Sequence, residues 1–481
     1  MIEGLYDGSY WLSRFIIQRG LGLTYLLAFL LALNQFRPLS GQHGLLPISQ
    51  FLNRISFKRS PSIFHWHYSD RFFSWIAGTG IFLSLLALTG LSDAGPLWLS
   101  MLVWFLLWAL YLSIVNVGQL FYGYGWESLL LEAGFYAIFL GPMHYHSPLI
   151  MIFLLRWLVF RVEFGAGLIK MRGDRCWRNL TCLNYHHETQ PMPNPLSRFF
   201  HNLPKPLHKL ETLGNHFVQL GVVWFLFAPQ PIASYAAIFI ILTQGYLIIS
   251  GNYAWLNWMT LILAFSGFSD DFIGQFLPLM PPAELTTSVI FQGIAVAVAI
   301  LTVYLSIKPV KNMIAPDQKM NFSFNPLHLV NTYGAFGSVT KNRYEIIIEG
   351  TRDSTIDSNS DWKAYEFKGK PGDPKRTPPQ IAPYHLRLDW QMWFAAMSSI
   401  RTNPWLLRFM LRLMQNDEPT LKLLKNNPFG ENPPKYIRAR LFLYEYTSAA
   451  ERRETGRWWN RDYVHDYMPP QSLEDLQNLG L

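Results

Sequence analysis

Three ionisable residues, Arg156, Glu163 and Lys170, stand seven apart in the apolar stretch 149–170 of a 481-residue chain. Seven residues is close to two helical turns, so on a helix they line one face, about 10 Å from one to the next. They are too far apart to pair with each other, and ionisable groups in apolar surroundings are costly without a partner or an aqueous cavity. Glu127 and Glu132, on the preceding apolar segment, are the nearest carboxylates in sequence for Arg156. Arg161 points elsewhere and either snorkels or meets Glu127 or Glu132. Lys170 closes the run GlyAlaGlyLeuIleLys, whose small residues let another backbone approach. A lysine held in an apolar site loses its proton easily and can act as a base; at a helix end it instead snorkels to the headgroups. The simplest expectation for the whole set is mutual neutralisation that locks a bundle together.

No other constellation with catalytic spacing is present: the chain has no GxSxG, HExxH, Walker lysine, GxGxxG after a strand, or acidic calcium loop. His186 and His187 are adjacent, so on a helix their rings diverge and only one could join a metal site. Neither a metal nor a cofactor is expected. Cys176 and Cys182, the whole thiol inventory, fit no zinc pattern. They form a small disulfide loop if they face an oxidising compartment, or else remain free.

The elements that must position these residues are membrane helices. Only 15% of residues are charged against 50% hydrophobic, whereas soluble domains carry about 25% charged. Uncharged gaps of 17, 21, 33, 23, 58 and 23 residues follow Arg19, Arg71, Asp93, Glu132, Glu211 and Glu284. A helix needs about 20 apolar residues to cross the hydrocarbon layer, so about seven membrane helices are expected over residues 1–308. The first, Leu21 to Phe36, lacks a small-residue cleavage site and reads as retained. Two polar stretches interrupt them: 38–70, with aromatic and basic residues suited to the headgroup layer, and 171–210, too polar to span. The net charge of +8 is spread along loops and tail, which suits lipid headgroups and argues against nucleic acid.

From Lys308 to the end, 24 basic and 19 acidic residues among 174 restore an ordinary soluble composition. Residues 309–481 are therefore expected to be a separate soluble domain. Strands are predicted at 343–350, 362–368 and 436–446, and a helix at 405–413 after Pro404. The expected fold is an α-helical multipass membrane bundle with a C-terminal mixed domain containing a small β-sheet or sandwich.

The run GluPheGlyAlaGlyLeuIleLysMetArgGlyAspArgCysTrpArgAsnLeuThrCysLeuAsnTyrHisHisGluThrGlnProMetProAsnPro at 163–195 resembles the lipase maturation factor family. So do LeuGluThrLeuGlyAsnHisPhe at 210–217, SerGlyAsnTyrAlaTrpLeuAsnTrp at 250–258, AsnThrTyrGlyAlaPheGly at 331–337, LysProGlyAspPro at 370–374, TyrHisLeuArgLeuAspTrpGlnMetTrpPheAla at 384–395 and AsnProPhe at 427–429. The resemblance implies a membrane-bound folding factor that helps secreted lipases reach their active, assembled state. It implies the endoplasmic reticulum membrane in a eukaryote and the inner membrane in a bacterium. It further implies that the 171–210 loop and the tail share the non-cytoplasmic side and meet the client protein, a lipase. Candidate loop contacts are Arg172, Asp174, Arg175, Cys176, Trp177, Arg178, Cys182, Tyr185, His186, Glu188, Gln190 and Pro191. A more distant resemblance, to vitamin K-dependent gamma-carboxylase, implies a membrane enzyme as the alternative, with Lys170 as its base.

Overall fold

The computed structural model describes residues 10–479. The N-terminal part is helical: α1 (Trp11–Ser40), α2 (Ile48–Arg54), α3 (Asp70–Thr89), α4 (Leu97–Val117), α5 (Gly125–Ala137), α6 (Leu149–Arg172), α7 (Arg175–Arg178), α8 (Leu183–Thr189), α9 (Ser197–His201), α10 (Lys205–His216), α11 (Ile232–Ser250), α12 (Leu256–Ala264), α13 (Asp270–Ile273) and α14 (Val289–Ile314). Among the described residues five helices, α1, α3, α4, α11 and α14, are long and apolar enough to cross a membrane. Charge-bearing α5 and α6 and the short α12 pack among them.

Punctuation in the sequence sets these boundaries. Pro96 precedes the uncharged α4 and Gly118 follows it. Ser69 and Ser288 cap α3 and α14, their hydroxyls accepting the backbone N–H of Phe72 and Phe291. The uncharged gap between Glu132 and Arg156 holds no crossing helix. It contains the end of α5, a connection through Gly141, Pro142 and Pro148, and the start of α6. Charge-free length misplaces the helices here because α5 and α6 carry their charges inside the bundle, where ion pairs, amides and carbonyls hold them.

The tail adds β1 (Phe322–Ser323), β2 (Asn331–Thr332), β3 (Arg343–Thr351), β4 (Lys363–Ala364), β5 (Glu366–Phe367), α15 (Arg387–Ala396), α16 (Pro404–Met414), α17 (Glu418–Leu421), β6 (Leu424–Asn426), β7 (Tyr436–Tyr446), α18 (Ala449–Thr455), β8 (Trp459–Ser472) and α19 (Leu473–Asn478). Its main sheet is antiparallel in the order β4-β3-β7-β8. The strands at 343–350 and 436–446 form as predicted. The strand predicted at 362–368 breaks at Tyr365, β4 joining β3 and β5 pairing with β6 in a second small sheet. The fourteen-residue β8 has no counterpart in the sequence reading. An edge strand with a solvent face tolerates charges and prolines such as Asp462, Asp466 and Pro469, which hide its alternation.

The tail does not stand apart from the helices. α14 continues through Lys308 to Ile314, and one apolar core runs from the bundle into the tail. Trp126 of α5 packs on Trp390 of α15 with ring centroids 5.0 Å apart. The 171–210 segment packs against the tail and is folded into short helices rather than left as a loop.

Candidate functional site

Lys170 lies at the end of α6, where the GlyAlaGly run was expected to admit another backbone. It does: a Cβ at Gly165 would collide with the carbonyl oxygen of Tyr333, and one at Gly173 with that of Gly337. The tail segment 331–337 thereby closes over α6 and walls a cavity of about 320 Å³, lined by Glu163, Lys170, Trp177, His186 and Tyr253 among others. A second cavity of about 850 Å³ adjoins it through His186, Tyr253 and Phe336.

Lys170 does not snorkel. Its ammonium is buried, donates to Asn215 Oδ1 (2.7 Å) and Gln219 Oε1 (2.9 Å), and lies 5.0 Å from the centre of the Trp177 ring. Glu163 accepts from Gln244 Nε2 (2.5 Å), whose own carbonyl is held by Asn257 Nδ2 (2.7 Å). Glu163 and Lys170 therefore face one cavity, each held by amides, without ion-pair contact. His186 Nε2 is 2.9 Å from Tyr253 Oη, and burial, assisted by the nearby Lys170, pushes its pKa down to about 4. The cavity thus gathers Lys170, the carboxyl groups of Glu163 and Glu211, and the imidazoles of His186 and His187 within largely apolar walls.

Among the other intramembrane charges, Arg161 does not snorkel but pairs with Glu132, one of the two carboxylates expected for it, and Glu132 also accepts from the Asn331 backbone N–H (3.0 Å) and Tyr333 Oη (2.8 Å). Glu127 pairs with Arg387 of the tail (2.7 Å) and accepts from Tyr111. Both carboxylates are thus occupied, and the pairing of Arg156 with either is corrected. Arg156 instead donates to the carbonyls of Ser266 (2.8 Å) and Leu226 (3.0 Å). Both oxygens belong to 3-10 segments, Val222–Phe227 and Phe265–Gly267, and are free to accept from a guanidinium.

The family-motif segment is largely internal. Cys176, Trp177, Cys182, His186, Gln190 and Pro191 are buried, Arg172, Asp174, Tyr185 and Glu188 half-buried, and Arg175 and Arg178 exposed. Asp174 accepts from the Cys176 backbone N–H, and Trp177 donates to the Phe336 carbonyl (2.6 Å). Arg172 donates to the backbone carbonyl of Met313 (2.6 Å) and to Gln318 Oε1 (2.9 Å). The tail grips the segment through Arg343, which donates to the carbonyls of Glu188 (3.0 Å), Gln190 (2.5 Å) and Pro191 (3.2 Å). Glu345 joins Arg343 (2.6 Å) to Lys370 (3.1 Å), whose pKa burial pushes down to about 8 against the pull of Glu345. Sequence reasoning missed Arg343, Lys370 and Arg387. Their only signal was position within or beside runs that resemble the family. These contacts join the 171–210 segment to the tail.

Cys176 and Cys182 are disulfide-bonded, with Cα atoms 4.8 Å apart. So short a closure stabilises by roughly 2 kcal/mol. Cys182→Ala is expected to lower the melting midpoint in detergent while leaving the chain folded. An unchanged midpoint in protein taken from its native membrane under non-reducing conditions would show that the bond contributes nothing there.

Residues 12–275 match the lipase maturation factor transmembrane domain and residues 329–469 the lipase maturation factor C-terminal domain. The chain is 40% identical to lipase maturation factor 1 of Mus musculus over 98% of its own length and 89% of the relative's. It is likewise 40% identical to lipase maturation factor 1 of Homo sapiens, over 98% and 90% of the two chains. Identity to lipase maturation factor 2 of Homo sapiens is 28%, over 96% and 83%. No solved structure matches the chain.

Proposed function

This chain belongs to the lipase maturation factor family and is an integral, multipass membrane protein; from that premise we propose that it assists a secreted lipase to reach its active, assembled state. The observation that carries the reading is the identity to lipase maturation factor 1 along nearly the whole of both chains. We place it in the endoplasmic reticulum membrane of a eukaryotic cell, or the cytoplasmic membrane of a bacterial one, with the 171–210 segment and tail on the non-cytoplasmic side. The client meets what these leave exposed: Arg175, Arg178, Leu196 and Phe199 of the segment, and the free edge of β8 with Tyr463 and Val464. A free edge accepts an added strand, and apolar groups rimmed by cations hold unfolded surface without trapping it. The buried motif residues serve by shaping that surface.

A second reading, a membrane enzyme with Lys170 as base, is favoured by one observation: Lys170 and Glu163 face one cavity. Lys170→Arg separates the two, because arginine keeps the charge and donors but cannot act as a base. We expect the variant to retain lipase activity within about threefold per folded chain, the larger side chain costing about 1–3 kcal/mol of stability at most. A loss on the order of 100-fold at normal membrane insertion, the size of a missing general base, overturns the folding-factor reading.

A further inference from the structure

Beside the cavity, three side chains from two helices converge where adjacent histidines in sequence suggested no metal site. His187 of α8 and His208 and Glu211 of α10 bring one ligand atom each to within 4.8 Å of one another. His186 and His187 do diverge, as expected: His186 turns to Tyr253 and His187 to α10. The partners come from an i, i+3 pair on α10, which faces one way on a helix.

The hydrogen bonding around His208 accommodates a metal ion. Its Nε2 lies 3.3 Å from the carbonyl oxygen of His201, which can only accept, so Nε2 carries the proton. In the neutral ring Nδ1 then presents a lone pair to Glu211 Oε2, 3.2 Å away. Two acceptors facing each other require a proton or a cation between them. A tetrahedral zinc with bonds of about 2.0–2.1 Å sets its ligand atoms about 3.3 Å apart, the separation His208 and Glu211 already have. A backbone carbonyl that takes the other ring N–H is the usual orienting contact of a ligating histidine.

His187 supplies the independent observation. It is 2% exposed, and neither ring nitrogen has a hydrogen-bond partner. A buried polar group without a partner is costly, and a metal ion bound to one ring nitrogen supplies that partner.

We propose that His187, His208 Nδ1 and Glu211 bind a divalent transition metal, with Zn2+ the ion best suited to two imidazoles and a carboxylate. Three protein ligands leave a fourth position, as in zinc sites that bind a water or an oxygen donor. His187 and Glu211 both line the cavity that holds Lys170, so that position opens into it. The ion ties α8 to α10 whatever the client is, and gives the cavity an acceptor for an anionic or carbonyl oxygen.

The full chain, purified in detergent through a tag without histidine, is stripped with a chelator, reloaded with Zn2+ and passed over a desalting column. About one Zn2+ per chain should remain. Its X-ray absorption spectrum should show two imidazoles and oxygen at about 2.0–2.1 Å. His208→Gln and Glu211→Gln should each lower zinc affinity by about tenfold or more, as loss of a ligand or its support does. Wild-type protein that retains no zinc, a spectrum with sulfur or with oxygen alone, or variants that bind as wild type each overturn the site. Should both variants fail to fold, the wild-type stoichiometry and spectrum decide.

Discussion

Arg387→Met is expected to cost roughly 3–5 kcal/mol of stability, the usual consequence of orphaning one member of a buried ion pair. Glu127 is fully buried, and among the described residues Arg387 is its only cationic partner within ion-pair distance apart from His385, which lies 3.9 Å away. Burial holds the His385 ring neutral, so it supplies no compensating charge. Arg387 also donates to the Phe121 carbonyl (2.7 Å) and stacks on Tyr122, so the truncation removes packing too. The double variant Glu127→Gln with Arg387→Met should recover much of the loss, because no unpaired charge remains. The readout is the melting midpoint in detergent. Strictly additive losses, or a single variant within about 1 kcal/mol of the parent, would show that the pair does not join the tail to the bundle. Arg161 and Glu132 should behave the same way, whereas Arg156→Met combined with either glutamate variant should be additive, since Arg156 is held by carbonyls.

Arg343→Met should release the 171–210 segment from the tail. The guanidinium serves three consecutive-region carbonyls and Glu345 at once, and hydrogen bonds to a charged group contribute about 1.5–3 kcal/mol each. A loss of roughly 3–5 kcal/mol is expected, with Glu345 still paired to Lys370. Arg343→Lys keeps the charge but cannot bridge several acceptors in a plane, so it should fall between. Limited proteolysis of the detergent-solubilised chain checks the local effect: cleavage near 188–198 should quicken well before the bundle melts. In cells, secreted lipase activity should drop with it, because the client surface at Leu196 and Phe199 then loses its support. Unchanged cleavage with unchanged lipase activity would show that Arg343 does not hold the segment.

What the amino-acid sequence determined by itself was the class of molecule. Charge-free lengths announce a membrane bundle, because no charge can be left in lipid without a partner, and the return of charges after Lys308 announces a mixed tail. The alternation in 343–350 and 436–446 was legible because each strand buries one face. The motif runs marked where the chain would converge, without saying on what. Only the tertiary structure decided the partners. Glu127 lies 260 positions from Arg387, and Glu132 is satisfied by Arg161 together with Asn331 and Tyr333. Nearness in sequence offered both carboxylates to Arg156 and to Arg161; Arg161 took Glu132, whereas Arg156 found unwound carbonyls instead. His187 and His208 meet only because α8 and α10 fold back on each other. A buried charge or ring nitrogen is satisfied by whatever the packed fold brings within about 3 Å, and that distance is set by the fold as a whole rather than by spacing along the chain.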